Sequence, residues 1–229
     1  MQWIKRSVIV VGVVLLCAVN PAVSGEFSFN NKDYYFEQAE GFCDGTNDPQ
    51  GLVKKLILEQ VGLPIEIASI SFPCEGAAGY GDPLVWGMTG FEKIEPLYGH
   101  SQNKYNDIVR ALIGETELVR ELNNASIKYA QEKSELYREL TEGLDVGATQ
   151  ILWAGETGVI HRTLAQNKVE DEVLLLEVYT LSTVAVNAVI HSYVYLPYEA
   201  ENTDQLQETL NKLIELSKAN YSLNRNDSL

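Results

Sequence analysis

Histidine is scarce in this chain. His100, His161 and His191 are its three, far apart in sequence, and neither they nor the three cysteines stand at zinc-ligand spacing. There is no Gly-x-Ser-x-Gly elbow and no phosphate-cradling glycine loop, so the common signatures of hydrolases and nucleotide enzymes are missing. The acidic turn at 44–48 lacks the alternate-residue ligand spacing of a calcium loop, and Asp48 is read there as a helix cap. Positive charge is also short, with 17 Lys and Arg against 32 Asp and Glu, a net −15. Such a surface repels phosphates, which argues against nucleic acid and against docking on anionic lipid. Long hydrophobic runs are absent too. The longest, at 7–19, is short for a membrane span. No internal repeat or low-complexity stretch is present.

That run does have a role. Lys5 and Arg6 precede it, and Pro21, Ala22, Val23, Ser24 and Gly25 follow, so residues 1–25 read as a cleaved signal peptide. A lipid anchor on Cys17 is the alternative, with bulky Leu16 standing against it. Cleavage takes away Lys5, Arg6 and Cys17 and no acid, leaving 15 basic against 32 acidic residues, or −17. The expected compartment is periplasmic or secreted, with no stable membrane span after cleavage. Two cysteines then remain in an oxidising environment, so a Cys43–Cys74 disulfide is forced.

The stretch from Tyr34 to Pro83 organises the chain. Tyr34, Tyr35 and Phe36 are strand-forming and lead into Gly41, Phe42 and Cys43. Turn residues follow, then a helix from Pro49 to Val61 with Leu52, Val53, Leu56 and Ile57 at helical spacing. Residues 65–72 read as a second strand ending at Cys74. Before this stretch, Phe27 and Phe29 alternate with polar residues and Asn30 and Asn31 suit a hairpin turn. After it, the glycine-rich loop at 75–82 reads as flexible, 84–94 as a strand, and 98–106 as a polar connector. A helix follows from Asp107, interrupted at Gly114. Residues 116–140 read as one long helix with a stripe of Leu118, Leu122, Ala125, Tyr129, Leu136 and Leu140. The pattern then switches to strands at 149–154, 158–164, 172–183 and 189–197. In the last of these His191, Tyr193 and Tyr195 share one face and Ile190, Ser192 and Val194 the other. A final helix runs from Thr203 or Asp204 through Leu216, and the polar tail from Asn220 to Leu229 reads as frayed, with 221–229 flexible. The fold class is α+β, mostly antiparallel sheet with packed helices. One domain spans 26–220, with a helical insertion at about 99–144. On this pattern alone the helices belong on one face of the sheet.

Three pieces carry a family resemblance: Tyr35-Phe36 to Gly41-Phe42-Cys43, then Ile70-Ser71-Phe72-Pro73-Cys74, then the run from Ser192 to Tyr198 leading through Asp204 to Ala219-Asn220. Together they resemble a group of small exported bacterial proteins of unknown function, similar to the Mog1/PsbP/DcrB-like fold. The resemblance implies an α-β-α sandwich. It covers both ends of the mature chain but not 99–144, and it supplies no catalytic residues.

Function is therefore argued by class. The leading expectation is a non-catalytic exported binding or accessory protein whose partner is an unknown protein, peptide or glycan. No catalytic residue, metal or cofactor is assigned. Tyr80, Trp86, Tyr98 and Tyr105 flank the glycine-rich loop and connector, and rings with a polar tip suit such ligands. The candidate surface is Tyr80 and Trp86 with the acids Glu75 and Asp82. The bland alternative has these rings covering a sheet edge. Two other classes stand beside it: a subunit of an envelope assembly docking through the long helix, and a hydrolase-type enzyme built from distant acids such as Glu75, Asp82 and Glu156.

Overall fold

Alternation of large apolar and polar residues builds most of this molecule. The computed structural model describes residues 24–45, 65–82, 85–93, 101–133, 144–169, 172–198 and 203–225. The expected signal peptide up to 23, the helix from Pro49 to Val61, Tyr98, His100 and 134–140 lie outside them. Seven antiparallel strands form one sheet in the order β3-β4-β5-β9-β8-β7-β6. These are β3 (Phe42–Asp44), β4 (Ile65–Pro73), β5 (Trp86–Lys93), β6 (Leu144–Ala154), β7 (Val159–Val169), β8 (Glu172–Ala185) and β9 (Ala188–Pro197). The last four make a hairpin meander, and β5 adds to β9 with Trp86 opposite Tyr195 and Gly90 opposite His191. A separate hairpin, β1 (Ser24–Phe29) and β2 (Lys32–Glu37), turns at Asn30 and Asn31. Both have positive φ, 52° and 63°, the conformation whose twist matches flanking strands. The sheet with its three described helices is an α+β fold.

Helices lie on both faces of the sheet, not on one as the strand pattern alone implied. The reason is local. Val159 and Ile160, and again Val189 and Ile190, are consecutive strand residues that point to opposite faces, and all four are fully buried. On one face, α3 (Thr203–Leu223) sets Leu213 and Leu216 against Ile160, Leu181 and Val194. Gly158 admits this approach, since a Cβ there would lie 2.8 Å from Leu181 and 3.2 Å from the Cβ of Ser217. The β1–β2 hairpin closes the same face further along, with Phe29, Tyr34 and Phe36 on Phe91 and Ile190. On the opposite face, α1 (Gln102–Gly114) sets Tyr105 against Val159, Val184 and Val189.

Two helix boundaries differ from expectation, and one helix sits differently. α1 begins at Gln102 rather than Asp107, because Ser101 caps it, its Oγ accepting from the Lys104 N–H at 3.5 Å. Tyr105, expected in an open connector, is thereby a buried core residue. α2 (Thr116–Lys133) follows after a break at Glu115, whose N–H donates to the Leu112 carbonyl. It packs beside edge strand β6 rather than across the sheet, and Ala125 and Tyr129, read as part of its buried stripe, are exposed, Tyr129 by 48 %. The side chains of Leu118 and Leu122 lie outside the described residues. At the other end α3 does not fray at Asn220. Asn220 Oδ1 accepts from the Glu37 N–H at 2.8 Å, and Asn224 both accepts from the Tyr35 N–H at 3.0 Å and donates to its carbonyl at 2.6 Å. Two buried asparagines thus bond the backbone of β2 as a neighbouring strand would.

Candidate functional site

The Cys43–Cys74 disulfide is present, with an S–S distance of 1.99 Å and Cα atoms 5.1 Å apart. Its halves sit on the paired strands β3 and β4, where Cys43 lies opposite Phe72. The Cys74 N–H donates to the Gly41 carbonyl at 2.8 Å, which fixes the start of the glycine-rich loop. That loop is a chain of tight turns. Ala77 bonds back to Cys74, Tyr80 to Ala77, Asp82 to Gly79, and Val85 to Asp82, at 2.9 to 3.2 Å. Gly76, Gly79 and Gly81 supply the positive φ values these turns require. The loop folds back on Val85, which lies about 3.0 Å from where a Cβ on Gly79 would be. Tyr80 is 54 % exposed and Glu75 is exposed, while Asp82 is half-buried.

Trp86 belongs to a different group. It opens β5, is half-buried, and stacks on Tyr195 with ring centroids 3.8 Å apart and planes 5° from parallel. Tyr193 follows at 6.5 Å from Tyr195, and His191 at 6.0 Å from Tyr193, with tilts of 26° and 30°. Alternate residues of β9 share a face, so the three rings stand in file, and the pairing of β5 with β9 brings Trp86 to its end. The periodicity of 189–197 already separates His191, Tyr193 and Tyr195 from their neighbours. What the sequence does not contain is the register that sets Trp86 beside them.

The inner end of the file is polar. His191 Nδ1 lies 3.0 Å from Ser182 Oγ, and its Nε2 lies 3.0 Å from Glu92 Oε2. A neutral imidazole satisfies both, donating from Nε2 to the carboxylate and accepting the serine hydroxyl proton at Nδ1. A serine, histidine and acid in contact resemble a nucleophile with its base. Here Ser182 is 1 % and His191 5 % exposed, so no substrate reaches the hydroxyl. Gln102 of α1 seals it: Nε2 donates to the Ser182 carbonyl at 3.4 Å and to Asn106 Oδ1 at 2.7 Å, and Oε1 accepts from the Val184 N–H at 2.6 Å. Asn106 in turn donates to the Gly155 carbonyl at 2.8 Å. The cluster works as a clamp that fixes α1 to two hairpins.

Burial governs the ionisation of this face. His161 lies opposite Thr180, one strand further out, and its buried Nδ1 has no partner among the described residues. Burial, and after it the proximity of His191, lowers its pKa from 6.5 to about 4, so it is neutral at ordinary pH. Burial first, then Tyr195, Tyr105 and Glu92, hold the Tyr193 hydroxyl well above the usual tyrosine range. On the other face Arg162 pairs with the buried Glu177 at 3.1 Å, and Tyr179 donates to the second Glu177 oxygen. Burial and that bond raise the Tyr179 hydroxyl in turn.

The acids weighed for an enzyme are not gathered. Glu75 and Asp82 sit in the loop before Trp86, level with Tyr195 and Val178, whereas Glu156 sits in the turn before Val159, level with Ser182 and His191 at the other end of the sheet. Among the described residues no group of three His, Cys, Asp or Glu side chains is placed to hold a metal ion, and no helix is long and apolar enough to cross a membrane. No protein-family model matches the chain, and no curated protein does.

Proposed function

We propose that this protein is a non-catalytic, exported binding or accessory protein and that the Trp86–Tyr195 end of the aromatic file is its ligand platform. The observation that carries the reading is the coplanar Trp86–Tyr195 stack, half-buried on a sheet face and joined by the same strand to a closed polar clamp. Partly exposed rings held rigidly by stacking lose little entropy on binding, and such rings take up flat groups such as sugar rings or peptide side chains. Export is supported by the disulfide, which persists in oxidising compartments. Kinship with the Mog1/PsbP/DcrB-like proteins is supported by the antiparallel sheet with α3 packed on one face; α1, which covers part of the other, belongs with α2 to the segment read as inserted. The test is to probe glycan and peptide arrays with the protein and with Tyr195→Ala. Binding that the variant loses while it still unfolds cooperatively, with a melting temperature lowered by only several degrees, is the expected result. A ligand bound equally by both proteins would retire this platform.

A second reading has its own observation. Leu112 and Tyr129 are exposed on consecutive helices, which supports docking of the long-helix region in an envelope assembly. A mass that rises with concentration, and falls back with Tyr129→Ser, distinguishes it.

A further inference from the structure

We infer that the outer edge of β1 takes an added strand, an extended basic segment of a partner protein. This site is separate from the ring platform and does not depend on it. The directions of the backbone groups carry it. Asn224 bonds the N–H and carbonyl of Tyr35, and Asn220 bonds the N–H of Glu37, so these groups face away from β1. Backbone groups of alternate residues point to opposite edges of a strand, so Lys32, Tyr34 and Phe36 bond across to Phe29, Phe27 and Gly25. The two-residue turn at Asn30 and Asn31 has the same phase, with Phe29 and Lys32 as its first bonded pair. The N–H and carbonyl groups of Glu26 and Ser28 therefore point outward. None of them is bonded among the described residues.

The other edges are capped, flanked or short. β2 is capped by the two asparagines, β6 has α2 beside it, and β3 has three residues. β1 has six, without the proline or lysine that blunts an edge. Charge selects the occupant. Register puts Glu26 beside Tyr35 and Ser28 beside Asp33 on the outer face of the hairpin, where all four are exposed. Lys32 is on the inner face, over the Tyr34 ring, and Arg225 lies over Tyr221 on the β2 side. A second copy paired about a two-fold axis at Phe27 would set each Glu26 opposite the other chain's Ser28 and near its Asp33, acid against acid. A strand with Lys or Arg opposite Glu26 and Ser28, and an apolar residue opposite Phe27, instead meets acids outside and a ring inside. Removal of residues 1–25 as a signal peptide leaves the Ser28 N–H and both carbonyls on this edge.

The probe is the peptide acetyl-Lys-Val-Lys-Val-Lys-amide, set against acetyl-Glu-Val-Glu-Val-Glu-amide and against a copy N-methylated at every lysine. The reporter of place is the Ser28 amide resonance, identified by its loss in Ser28→Pro, and fluorescence anisotropy of labelled peptides gives the affinities. The basic peptide is expected to shift that resonance saturably and to bind at least about threefold more tightly than the acidic one. N-methylation, which keeps the charge and removes the donors, should weaken it at least about tenfold. Ser28→Pro should fold normally, because its N–H bonds nothing in β2 and an edge tolerates proline, and should weaken the basic peptide by a similar factor. Undiminished binding of the N-methylated peptide, or undiminished binding to Ser28→Pro, would overturn strand addition. An acidic peptide bound as tightly would overturn the basic partner. So would a mass that doubles with concentration and reverts in Ser28→Pro, which would put a second copy on this edge. No shift of the Ser28 amide at millimolar basic peptide would overturn the site and leave the Trp86–Tyr195 reading untouched.

Discussion

On one face of the sheet Phe91 sits among the rings of Phe27, Phe29, Tyr34 and Phe36, at centroid distances of 5.2 to 6.1 Å, and Leu213 closes over Ile160 and Leu181. On the other face four rings stand in file and end in Glu92, His191 and Ser182. The first face is covered by a hairpin and a long helix whose apolar residues find apolar partners. The second is covered at one end by α1, through hydrogen bonds from Gln102 and Asn106 as much as through Tyr105 and Val109. Apolar packing is strong and indifferent to direction, whereas a polar clamp holds one arrangement and leaves its neighbours partly open. Apolar stabilisation is concentrated on the first face, and partly exposed rings beside a polar cluster lie on the second.

The largest effect should come from Phe91→Ala. The ring is fully buried, and truncating such a phenylalanine costs about 3–5 kcal/mol. Tyr195→Ala, on the half-open face, should cost about 1–2 kcal/mol. Denaturant midpoints at unchanged slope measure both. Equal losses would break the distinction between the faces.

The apolar face was the easier one to read from sequence, because periodicity reports packing. Phe27, Phe29, Tyr34 and Phe36 announce a hairpin, and Leu206, Leu210, Leu213 and Ile214 announce a helix, before any partner is known. The Cys43–Cys74 bond followed from having two cysteines left to pair. The other face depended on long-range register. Trp86 and Tyr195 are more than a hundred residues apart, and nothing near either one encodes their stack. Polar signals also misled. The run from Tyr98 to Asn106 reads as a connector because Ser101, Gln102 and Asn106 are hydrophilic, yet those residues cap and clamp α1. Asn220 and Asn224 read as a fraying end for the same reason, although they are buried against β2. Composition identifies a polar residue but not whether a backbone group awaits it.

Acid should sharpen the comparison next. His161 is neutral when folded and protonates only near pH 4, whereas an unfolded histidine titrates near 6.5. The unfolded chain therefore binds more protons between these values. The contribution is fully present above pH 6.5, is lost as pH falls towards 4, and is constant below that. Its size is on the order of 3 kcal/mol. His161→Phe, which cannot titrate, should lose less stability than the parent across this window. Urea unfolding of both proteins at pH 7.0 and 4.5 makes the comparison. Parallel losses would show that other groups carry the acid sensitivity.

A smaller loss is expected from Asn224→Ala. It leaves the Tyr35 N–H and carbonyl without the side chain that bonds both, at a cost of about 1–3 kcal/mol. Amide exchange at Tyr35 should speed up markedly, while exchange at Phe91, within the main sheet, should not. Acceleration at both would mean that the hairpin and the sheet open together.

Tyr80→Ala should have the least effect on folding, and for that reason it separates the two rings that the sequence grouped. Tyr80 and Trp86 are six residues apart, but only Trp86 is held by another ring. The loop that carries Tyr80 is set by backbone bonds among Cys74, Ala77, Gly79, Tyr80, Asp82 and Val85, none of which uses the Tyr80 side chain. With the ring more than half exposed, its removal should change stability by less than about 0.5 kcal/mol. Any change in ligand affinity in this variant is then a direct effect of the lost ring. If Tyr80→Ala and Trp86→Phe weaken the same ligand, the site extends from the sheet face onto the loop and includes Glu75 and Asp82. If only the Trp86 variant does, recognition is confined to the file of rings on β5 and β9.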